Sequence, residues 1–376
     1  MTYLSPAIFN ERLADLENFI RGLVQMESPS TDKPAVDRLG QFLAEKYKAL
    51  GATIQVFPHA EAGDTLLARW GQGPAGILLL CHMDTVFDVG TINRNPFRQA
   101  SGRIMGPGVL DMKSGIAMVA EIMEVFHLQG IWPARPITLL LTPDEETGSL
   151  TSRGIIEEQA KQAAIVFCLE PALPNGALKT ARKGTGGIEL TVTGRAAHAG
   201  VDHEKGRNAI EEISHHILSA QRLTRYSEGT TVNVGWVQGG TRANVVPEEA
   251  RALIDFRITS MGGLAPIEQW ARALRPVIEG TRVKAELTLN RPPMPRDAIM
   301  ADAFNKAREI AAGLGLPLTE GSTGGGSDAN FVAPLGIPVL DGLGPAGEGA
   351  HSEREFVNES SLVEQCALLA ALLLNW

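Results

Sequence analysis

Apolar residues in the first part of the chain follow two spacings. Stretches 10–26, 35–50 and 114–128 repeat apolar residues at helical intervals, which predicts helices that pack one face on a sheet. Short stretches between and after these helices predict strands, and the continuous apolar runs among them are typical of strands buried in a parallel sheet. The predicted strands are 53–57, 65–70, 77–80, 136–141 and 164–169.

From about residue 178 the pattern changes. Residues 187–193 and 230–237 alternate apolar and polar side chains, which indicates a sheet with one exposed face. Together with helices predicted at 208–223 and 264–277 and further strands, the order is β-α-β-β-α-β, as in a ferredoxin-like sandwich. The strands that complete this order are 249–259 and 282–289.

The first pattern resumes after residue 291, with helices predicted at 301–314 and 360–374 and a strand at 337–340. We therefore predict an α/β fold with a mixed, largely parallel sheet flanked by helices. Residues 1–178 and 291–376 are expected to form this domain, and residues 179–290 an inserted ferredoxin-like α+β domain.

Composition narrows the functional classes. A chain of 376 residues is too long for one comfortable core, in agreement with two domains. The formal net charge of −9 argues against a nucleic-acid partner. No apolar run approaches the ~18 residues of a membrane span. Three cysteines and an N-terminus without a basic or apolar leader lead us to expect a cytoplasmic protein.

The first candidate chemistry follows strand 77–80. His82 and Asp84 are two positions apart, so an extended backbone points both side chains to the same side. An imidazole beside a carboxylate is typical of a metal ligand and its orienting partner. The alternative is a histidine that caps backbone groups at the strand end.

Acidic residues also follow predicted strands further along the chain. Glu145 and Glu146 follow strand 136–141, and Glu170 ends the strand that begins at 164. Asp111 lies in a Gly-Pro-Gly loop that enters a helix, where an N-cap is its alternative role. Because parallel strands bring their carboxyl ends together, the repetition favours a shared cation site over a solvated acidic loop.

Nitrogen and oxygen ligands suit zinc, and cobalt or manganese are possible substitutes because no thiolate is required. Cys168 shares a face with Glu170 by strand alternation, but a free cysteine of this kind is usually part of the core.

A set of motifs carries a family resemblance that covers nearly the whole chain. The chain resembles the M20 family of co-catalytic zinc peptidases and deacylases, and within it the carboxypeptidase G2-like glutamate carboxypeptidases. The motifs are HMD (82–84), GPGVLDMKSG (106–115), PDEETGS (143–149), CLEP (168–171), RAAHAG (195–200), ANVVP (243–247), TGGGSDA (323–329) and GAHSE (349–353).

The resemblance implies two zinc ions per chain. It implies that His82 and Glu170 hold one ion, that Glu146 and His351 hold the other, and that Asp111 bridges both. Two divalent ions ~3.5–4 Å apart lower the pKa of a water between them and polarise the scissile carbonyl. The ions also offset the mutual repulsion of the carboxylates.

Two further acidic residues are implied to act without binding metal. Asp84 would accept a hydrogen bond from His82 and raise its basicity. Glu145 would take the proton from the attacking water and later deliver it to the leaving amine. Adjacent residues on an extended or turning chain cannot both face one metal. We therefore expect Glu146 to bind the metal and Glu145 to act as the base.

The resemblance also implies substrate residues. His198 would reach into the site of a partner subunit and stabilise the oxyanion, which implies a homodimer formed through the inserted domain. Asn244 and Arg257 would bind the substrate carboxylate region, with Arg257 as the bidentate clamp. Gly325 and Gly326 would offer backbone N–H groups. Each residue also has an alternative role without a substrate. His198 would be a surface histidine, Asn244 would form a turn, and Arg257 would be a solvated side chain.

The expected function is a dizinc amidohydrolase that releases a C-terminal amino acid, glutamate or similar, from a small N-acyl or peptidyl substrate. Within the same chemistry, an N-acyl amino acid deacylase acting on acetylornithine or succinyl-diaminopimelate-like substrates is the alternative. A third hypothesis, from another class, is a catalytically inactive binding module. Every expected ligand and Glu145 are present, which disfavours that third hypothesis.

Overall fold

The computed structural model describes residues 1–376. Its helices are α1 (Pro6–Glu11), α2 (Leu13–Gln25), α3 (Lys33–Ala49), α4 (Thr91–Arg94), α5 (Ser114–Gln129), α6 (Arg153–Lys161), α7 (Ala209–Gln221), α8 (Leu264–Ala273), α9 (Ala298–Ala312), α10 (Ala329–Val332) and α11 (Glu359–Asn375).

Eighteen strands complete the secondary structure. They are β1 (Thr53–Phe57), β2 (Thr65–Trp70), β3 (Gly76–His82), β4 (Arg98–Ala100), β5 (Arg103–Met105), β6 (Ile137–Thr142), β7 (Ala163–Cys168), β8 (Leu178–Arg182), β9 (Gly184–Thr193), β10 (Ala197–His198), β11 (Thr231–Gly239), β12 (Val245–Val246), β13 (Glu249–Ile258), β14 (Arg282–Arg291), β15 (Glu320–Thr323), β16 (Val339–Asp341), β17 (Gly347–Glu348) and β18 (Phe356–Asn358).

The chain forms two compact units. Unit 1 comprises Met1–Ala181, Arg296–Thr323 and Ser327–Trp376, and unit 2 comprises Arg182–Pro295 with Gly324–Gly326. The sheet of unit 1 has the order β1-β2-β6-β3-β7-β16-β8-β15. Its central strands β6, β3, β7 and β16 run parallel, whereas β1, β2 and β8 pair antiparallel. The predicted α/β fold class is confirmed.

Helix α5 is the centre of the unit 1 core. Nearly every residue from Ser114 to Phe126 is buried, because α2 and α11 pack against this helix. Such extensive burial explains why its sequence is largely apolar, and the buried Glu121 is ion-paired with Arg12. The three cysteines are buried and form no disulfide. None of the helices combines the length and apolarity that crossing a membrane requires.

The N-terminal region differs from the single helix predicted over 10–26. Two helices, α1 and α2, meet at Arg12, whose backbone leaves the helical region. Ser5 caps α1 by accepting the amide of Ala7, and Pro6 follows it in the first turn. The guanidinium of Arg12 is ion-paired with Glu121 of α5, so the break between the helices serves a tertiary contact.

Unit 2 is a four-stranded antiparallel sheet with the order β11-β13-β9-β14 and two helices, α7 and α8. This order and the β-α-β-β-α-β sequence are those of a ferredoxin-like sandwich. Alternate residues of β13 are buried, as the period-2 pattern requires, and they share one apolar cluster with residues of α7 and α8.

A buried carboxylate stabilises unit 2. Glu212 on α7 accepts the backbone amides of Val277 and Ile278 at distances from 2.6 to 3.1 Å. Its Oε1 lies 2.6 Å from Nε2 of His216, one turn along the helix. Burial raises the pKa of Glu212, but these amides and the imidazole lower it by more, so the pKa lies below its ordinary value.

We expect Glu212→Gln to lower the free energy of unfolding by about 1.5–3 kcal/mol at neutral pH, since hydrogen bonds to a charged group have this magnitude. The carboxylate adds stability above its unfolded pKa of about 4.3, and that contribution is lost as the pH falls through the lower folded-state pKa. Chemical unfolding of both proteins at a series of pH values measures the difference.

The matched control is Glu211→Gln, the exposed neighbour on the same helix. This control should unfold like the original chain at every pH. A destabilisation by Glu212→Gln that stayed constant down to about pH 3 would contradict the assigned role of the charge.

Candidate metal centre

The carboxyl ends of three neighbouring strands meet at one edge of the unit 1 sheet. Strand β3 runs parallel to β6 with His82 opposite Thr142, and parallel to β7 with Leu80 opposite Cys168. The segments that leave these strands carry the predicted acidic side chains Asp84, Glu145, Glu146 and Glu170. Strand register therefore brings together groups that are far apart along the chain.

His82 is buried, with 2% of its surface exposed, and presents Nε2 to two carboxylates. Nε2 lies 3.0 Å from Oδ1 of Asp111 and 3.6 Å from Oε1 of Glu170. On the other side of the ring, Nδ1 lies 2.9 Å from the main-chain oxygen of Asp84 and 3.5 Å from its Oδ1. Asp84 thus orients the ring chiefly through its backbone, which differs from the expected side-chain hydrogen bond.

Asp111 faces two imidazoles with its two carboxylate oxygens. Oδ1 is the oxygen near His82, whereas Oδ2 lies 3.4 Å from Nε2 of His351. The same Nε2 lies 3.1 Å from Oε2 of Glu146. One carboxylate between two separate imidazole-carboxylate pairs is the geometry expected of a ligand that bridges two ions.

The carboxylate of Asp84 is fully buried and holds the turn after β6. Oδ1 accepts the amide of Glu145 at 3.2 Å, and Oδ2 accepts the amide of Glu146 at 3.1 Å. Ser30 donates its hydroxyl to Oδ2 at 2.7 Å. With the turn held in this way, the ligand atoms of His82, Glu145 and Glu170 lie within 4.8 Å of one another, as do those of His82, Asp111 and Glu146.

Asp144, the first of the three consecutive acidic residues, does not join this cluster. Its carboxylate accepts the amide and hydroxyl of Thr151 at 2.7 and 2.8 Å and the hydroxyl of Ser152 at 2.5 Å. It therefore fastens the loop to the start of α6. Thr142 and Ser149, on either side of the turn, both donate to the buried carboxylate of Asp328.

Glu355 is a buried residue for which the sequence predicts no role. Its carboxylate accepts the amides of Gly108, Leu110 and Asp111 at 3.1, 2.7 and 2.9 Å. Its position shortly after His351 and directly before an apolar strand was the available signal. This position in the sequence does not identify the loop amides that Glu355 contacts.

The pKa values in the cluster reflect its excess of negative charge. Burial lowers the pKa of His82, but its contacts with Asp111 and Asp84 raise it by more, to well above the ordinary value. Hydrogen bonds to Asp111 and Glu146 raise the pKa of His351 to about 11. Burial raises the pKa of Asp111, and its two histidine partners lower it by more, to well below the ordinary range.

The residues present fit a pair of divalent cations. Oε1 of Glu146 is buried and has no hydrogen-bond partner, which is costly unless a cation contacts it. Five carboxylates, those of Asp84, Asp111, Glu145, Glu146 and Glu170, surround two imidazoles, so negative charge remains even with both rings protonated. Imidazole nitrogen with carboxylate oxygen is a donor set that zinc accepts.

In unit 2, His198 and Asn244 lie side by side. Strand β10 pairs with β12 so that His198 is opposite Val245, and the amide of Ala199 donates to the main-chain oxygen of Asn244. Nδ1 of His198 accepts the amides of Gly200 and Val201 at 3.1 and 3.2 Å. With Nδ1 accepting these amides, the ring proton lies on Nε2, which makes Nε2 a hydrogen-bond donor.

Arg257 lies at the other end of the unit 2 sheet. It pairs with Thr185 at the start of β9, whereas the segment that leads to His198 follows Thr193 at the end of β9. Arg257 lies eight positions along β13 from Glu249, which pairs with Thr193. That separation is roughly 26 Å at about 3.3 Å per residue. Nε of Arg257 donates to Asp255 at 3.0 and 3.2 Å.

Gly325 and Gly326 present their carbonyl groups to Arg182. Nη1 of Arg182 donates to the two oxygens at 3.2 and 2.9 Å. The helix that follows, α10, has only four residues. The contribution of the two glycines to a substrate therefore remains a prediction.

Comparison with known proteins places the chain in a family. The model of peptidase family M20/M25/M40 matches residues 78–375. The chain is also 30% identical over 366 residues to carboxypeptidase G2 of Pseudomonas sp. (strain RS-16), across 94% of this chain and 87% of that protein. The chain belongs to the M20 peptidase family. The resemblance drawn from its motifs is confirmed, and the chain is an enzyme of this hydrolase family.

Other similar proteins have names that give different activities from that of carboxypeptidase G2. Succinyl-diaminopimelate desuccinylase of Alkalilimnicola ehrlichii is 28% identical, across 86% of this chain and 89% of that protein. Among solved structures, aminopeptidase PepT of Bacillus cereus has a TM-score of 0.76 at 24% identity, covering 96% of this chain and 97% of that one.

The Bacillus subtilis YXEP protein, described as a dinuclear metal-binding peptidase of the M20 family, has a TM-score of 0.72 at 16% identity. That likeness covers 97% of this chain and 98% of the other. At these identities the two structures establish the shared fold.

Proposed function

We propose that this chain is a two-metal amidohydrolase that cleaves the amide bond to a C-terminal amino acid, glutamate or similar, in a small N-acyl or peptidyl substrate. The observation that carries the proposal is the carboxylate of Asp111, whose two oxygens face two different histidines. An inactive binding module would not need this centre. A cytoplasmic location stays a prediction from the sequence.

Zinc is the proposed ion, with cobalt or manganese as substitutes. His82 and Glu170 would hold one ion, and His351 and Glu146 the other, with Asp111 between them. When bound, the two ions supply Lewis acidity that polarises the scissile carbonyl and lowers the pKa of a nearby water.

Glu145 is the proposed general base. Its turn is held by Asp84, which accepts the amides of Glu145 and Glu146, so the carboxylate is positioned before substrate arrives. The carboxylate takes the proton of the attacking water and then delivers it to the nitrogen of the leaving amino acid. Asp84 acts as a positioning residue, through its backbone contact with His82 and through this turn.

Arg257 is proposed to bind the free carboxylate of the substrate. Asn244 lies beside His198 and far from Arg257, so it is proposed to support the same region from the partner copy. A guanidinium offers a planar pair of donors that matches a carboxylate. Asp255 already engages Nε, which orients the guanidinium plane on the exposed face of the sheet.

His198 is proposed to stabilise the oxyanion through its Nε2–H. Arg257 lies at one end of the four-stranded sheet of unit 2, and the segment that leads to His198 leaves its other end, so one small substrate cannot contact both residues of the same copy. We therefore propose a homodimer formed through unit 2, in which His198 serves the partner's site. Sedimentation equilibrium tests this, since a particle of 40.2 kDa, the mass of one chain, would contradict it.

The alternative within the same chemistry is an N-acyl amino acid deacylase. The named activities of the relatives include both kinds, a carboxypeptidase and a desuccinylase. The deciding experiment offers the zinc and cobalt forms a panel of N-acyl amino acids that vary in the C-terminal residue, together with N-acetylornithine and N-succinyl-diaminopimelate.

Preference for N-acyl glutamate across several acyl groups supports the proposed activity. Preference for one of the two deacylase substrates favours the alternative. No hydrolysis of any member by metal-loaded protein would refute both.

Glu145→Gln should reduce kcat by roughly 10²–10⁴-fold, the range for removal of a general base. Two ions per chain should remain, because Glu145 is not a proposed ligand. Turnover and metal content by elemental analysis are measured on the same sample. Glu158→Gln, an exposed position on α6, is the control. Loss of metal in Glu145→Gln would instead make Glu145 a ligand, as its closeness to His82 and Glu170 allows.

Arg257→Ala should raise KM roughly 10–100-fold, since a hydrogen bond to a charged group is worth about 1.5–3 kcal/mol. Steady-state kinetics with an N-acyl glutamate measures the change. Arg251→Ala is the matched control, because Arg251 lies on the same exposed face of β13. An unchanged KM in Arg257→Ala would remove the carboxylate clamp from the proposal.

A further inference from the structure

Glu355 stands out among the buried charged groups that the proposed reaction does not use. Its side chain is fully buried, and three amides of one short segment donate to it. Two of these amides, those of Leu110 and Asp111, share the single oxygen Oε1 at 2.7 and 2.9 Å. Burying a carboxylate is costly, so three amides from one loop indicate that the position of this loop matters.

Strand pairing explains why Glu355 meets this loop. Strand β18 pairs antiparallel with β5, and Phe356 lies opposite Met105. Glu355 directly precedes β18, which begins at Phe356. The loop that carries Asp111 directly follows Met105, the last residue of β5. The register therefore places the carboxylate of Glu355 next to the start of that loop, where it contacts the loop amides.

The loop needs an external support because its backbone is irregular. Gly108 has a positive φ of 70°, and a Cβ there would lie 2.6 Å from Cγ2 of Thr85. Asp111 has extended rather than helical φ and ψ and precedes α5. Amides at the start of a helix have no acceptor within that helix, so the amide of Asp111 needs an acceptor from elsewhere, and Glu355 supplies it.

Glu355 also belongs to the loop that carries His351. The amide of Glu355 donates to Ser352, whose own amide donates to Gly349, so a compact turn joins Glu355 to His351. The nearby ammonium of Lys113 donates to the main-chain oxygen of Met26 and not to Glu355. The principal partners of this carboxylate are thus the three amides.

We propose that Glu355 is a positioning residue of the two-metal centre, which holds Asp111 so that its two oxygens face His82 and His351. This inference rests on the two-metal function proposed above. Glu355 itself would bind neither ion. Because Asp111 serves both ions, loss of the support should weaken both binding steps.

The test is a titration of metal-depleted protein with Co²⁺, followed by calorimetry and by the visible absorption of bound cobalt. Glu355→Gln keeps the size of the side chain but replaces one accepting oxygen with a donor. We expect both Co²⁺ affinities to fall roughly 10–100-fold, the range for loss of a group that orients a metal ligand. Thermal unfolding of the metal-depleted proteins shows that the variant is folded.

Glu353→Gln is the matched control. Glu353 lies in the same loop, but it is exposed and pairs with the exposed Arg94. Its substitution should leave both affinities and the cobalt spectrum unchanged. Should Glu355→Gln not fold, Glu355→Asp, which keeps the carboxyl group on a shorter stem, decides by the same titration, with weakened binding at both steps expected.

Wild-type affinity at either binding step in the Glu355 variant would overturn the inference, since an effect confined to one ion does not act through Asp111. Failure of the unmodified protein to bind two cobalt ions would instead refute the proposed function. The two failures are therefore distinguishable in one experiment.

Discussion

The repulsion among carboxylates at one edge of the unit 1 sheet is the constraint on which the rest of the centre depends. Asp84, Asp111, Glu145, Glu146 and Glu170 converge on two imidazoles, where burial removes most of the screening that water provides. Contacts with these carboxylates raise the pKa of both histidines, and positive charge on the two rings partly balances the cluster. Divalent cations would balance it more completely, which is why the cluster fits a metal pair.

Such a cluster is stable only if the backbone around it is held in place. Asp84 accepts the two amides of the turn after β6, Asp144 fastens the same loop to α6, and Glu355 accepts three amides of the Asp111 loop. Each support is a buried carboxylate that binds backbone N–H groups. The acidic residues of this edge therefore divide into those that face the cations and those that fix the loops.

Unit 2 adds a different constraint. Its sheet separates Arg257 from His198 by most of the length of a strand, and the loop around His198 fixes the ring so that Nε2 is the donor. Both residues have chemistry suited to an anionic substrate. Their separation within one copy links the proposed substrate binding to the proposed assembly of two copies.

The sequence by itself determined the strand ends, the inserted α+β unit and the family. Apolar runs that end in His82, Glu146 or Glu170 are local signals, because strand alternation and the convergence of parallel strands follow from spacing alone. The tertiary structure decided which partner each acidic group meets. Asp144 turns to α6, Asp84 chiefly binds the amides of a turn, and Glu355 reaches Leu110, which is 245 positions away. These contacts depend on strand register and on irregular backbone, neither of which a periodic pattern encodes.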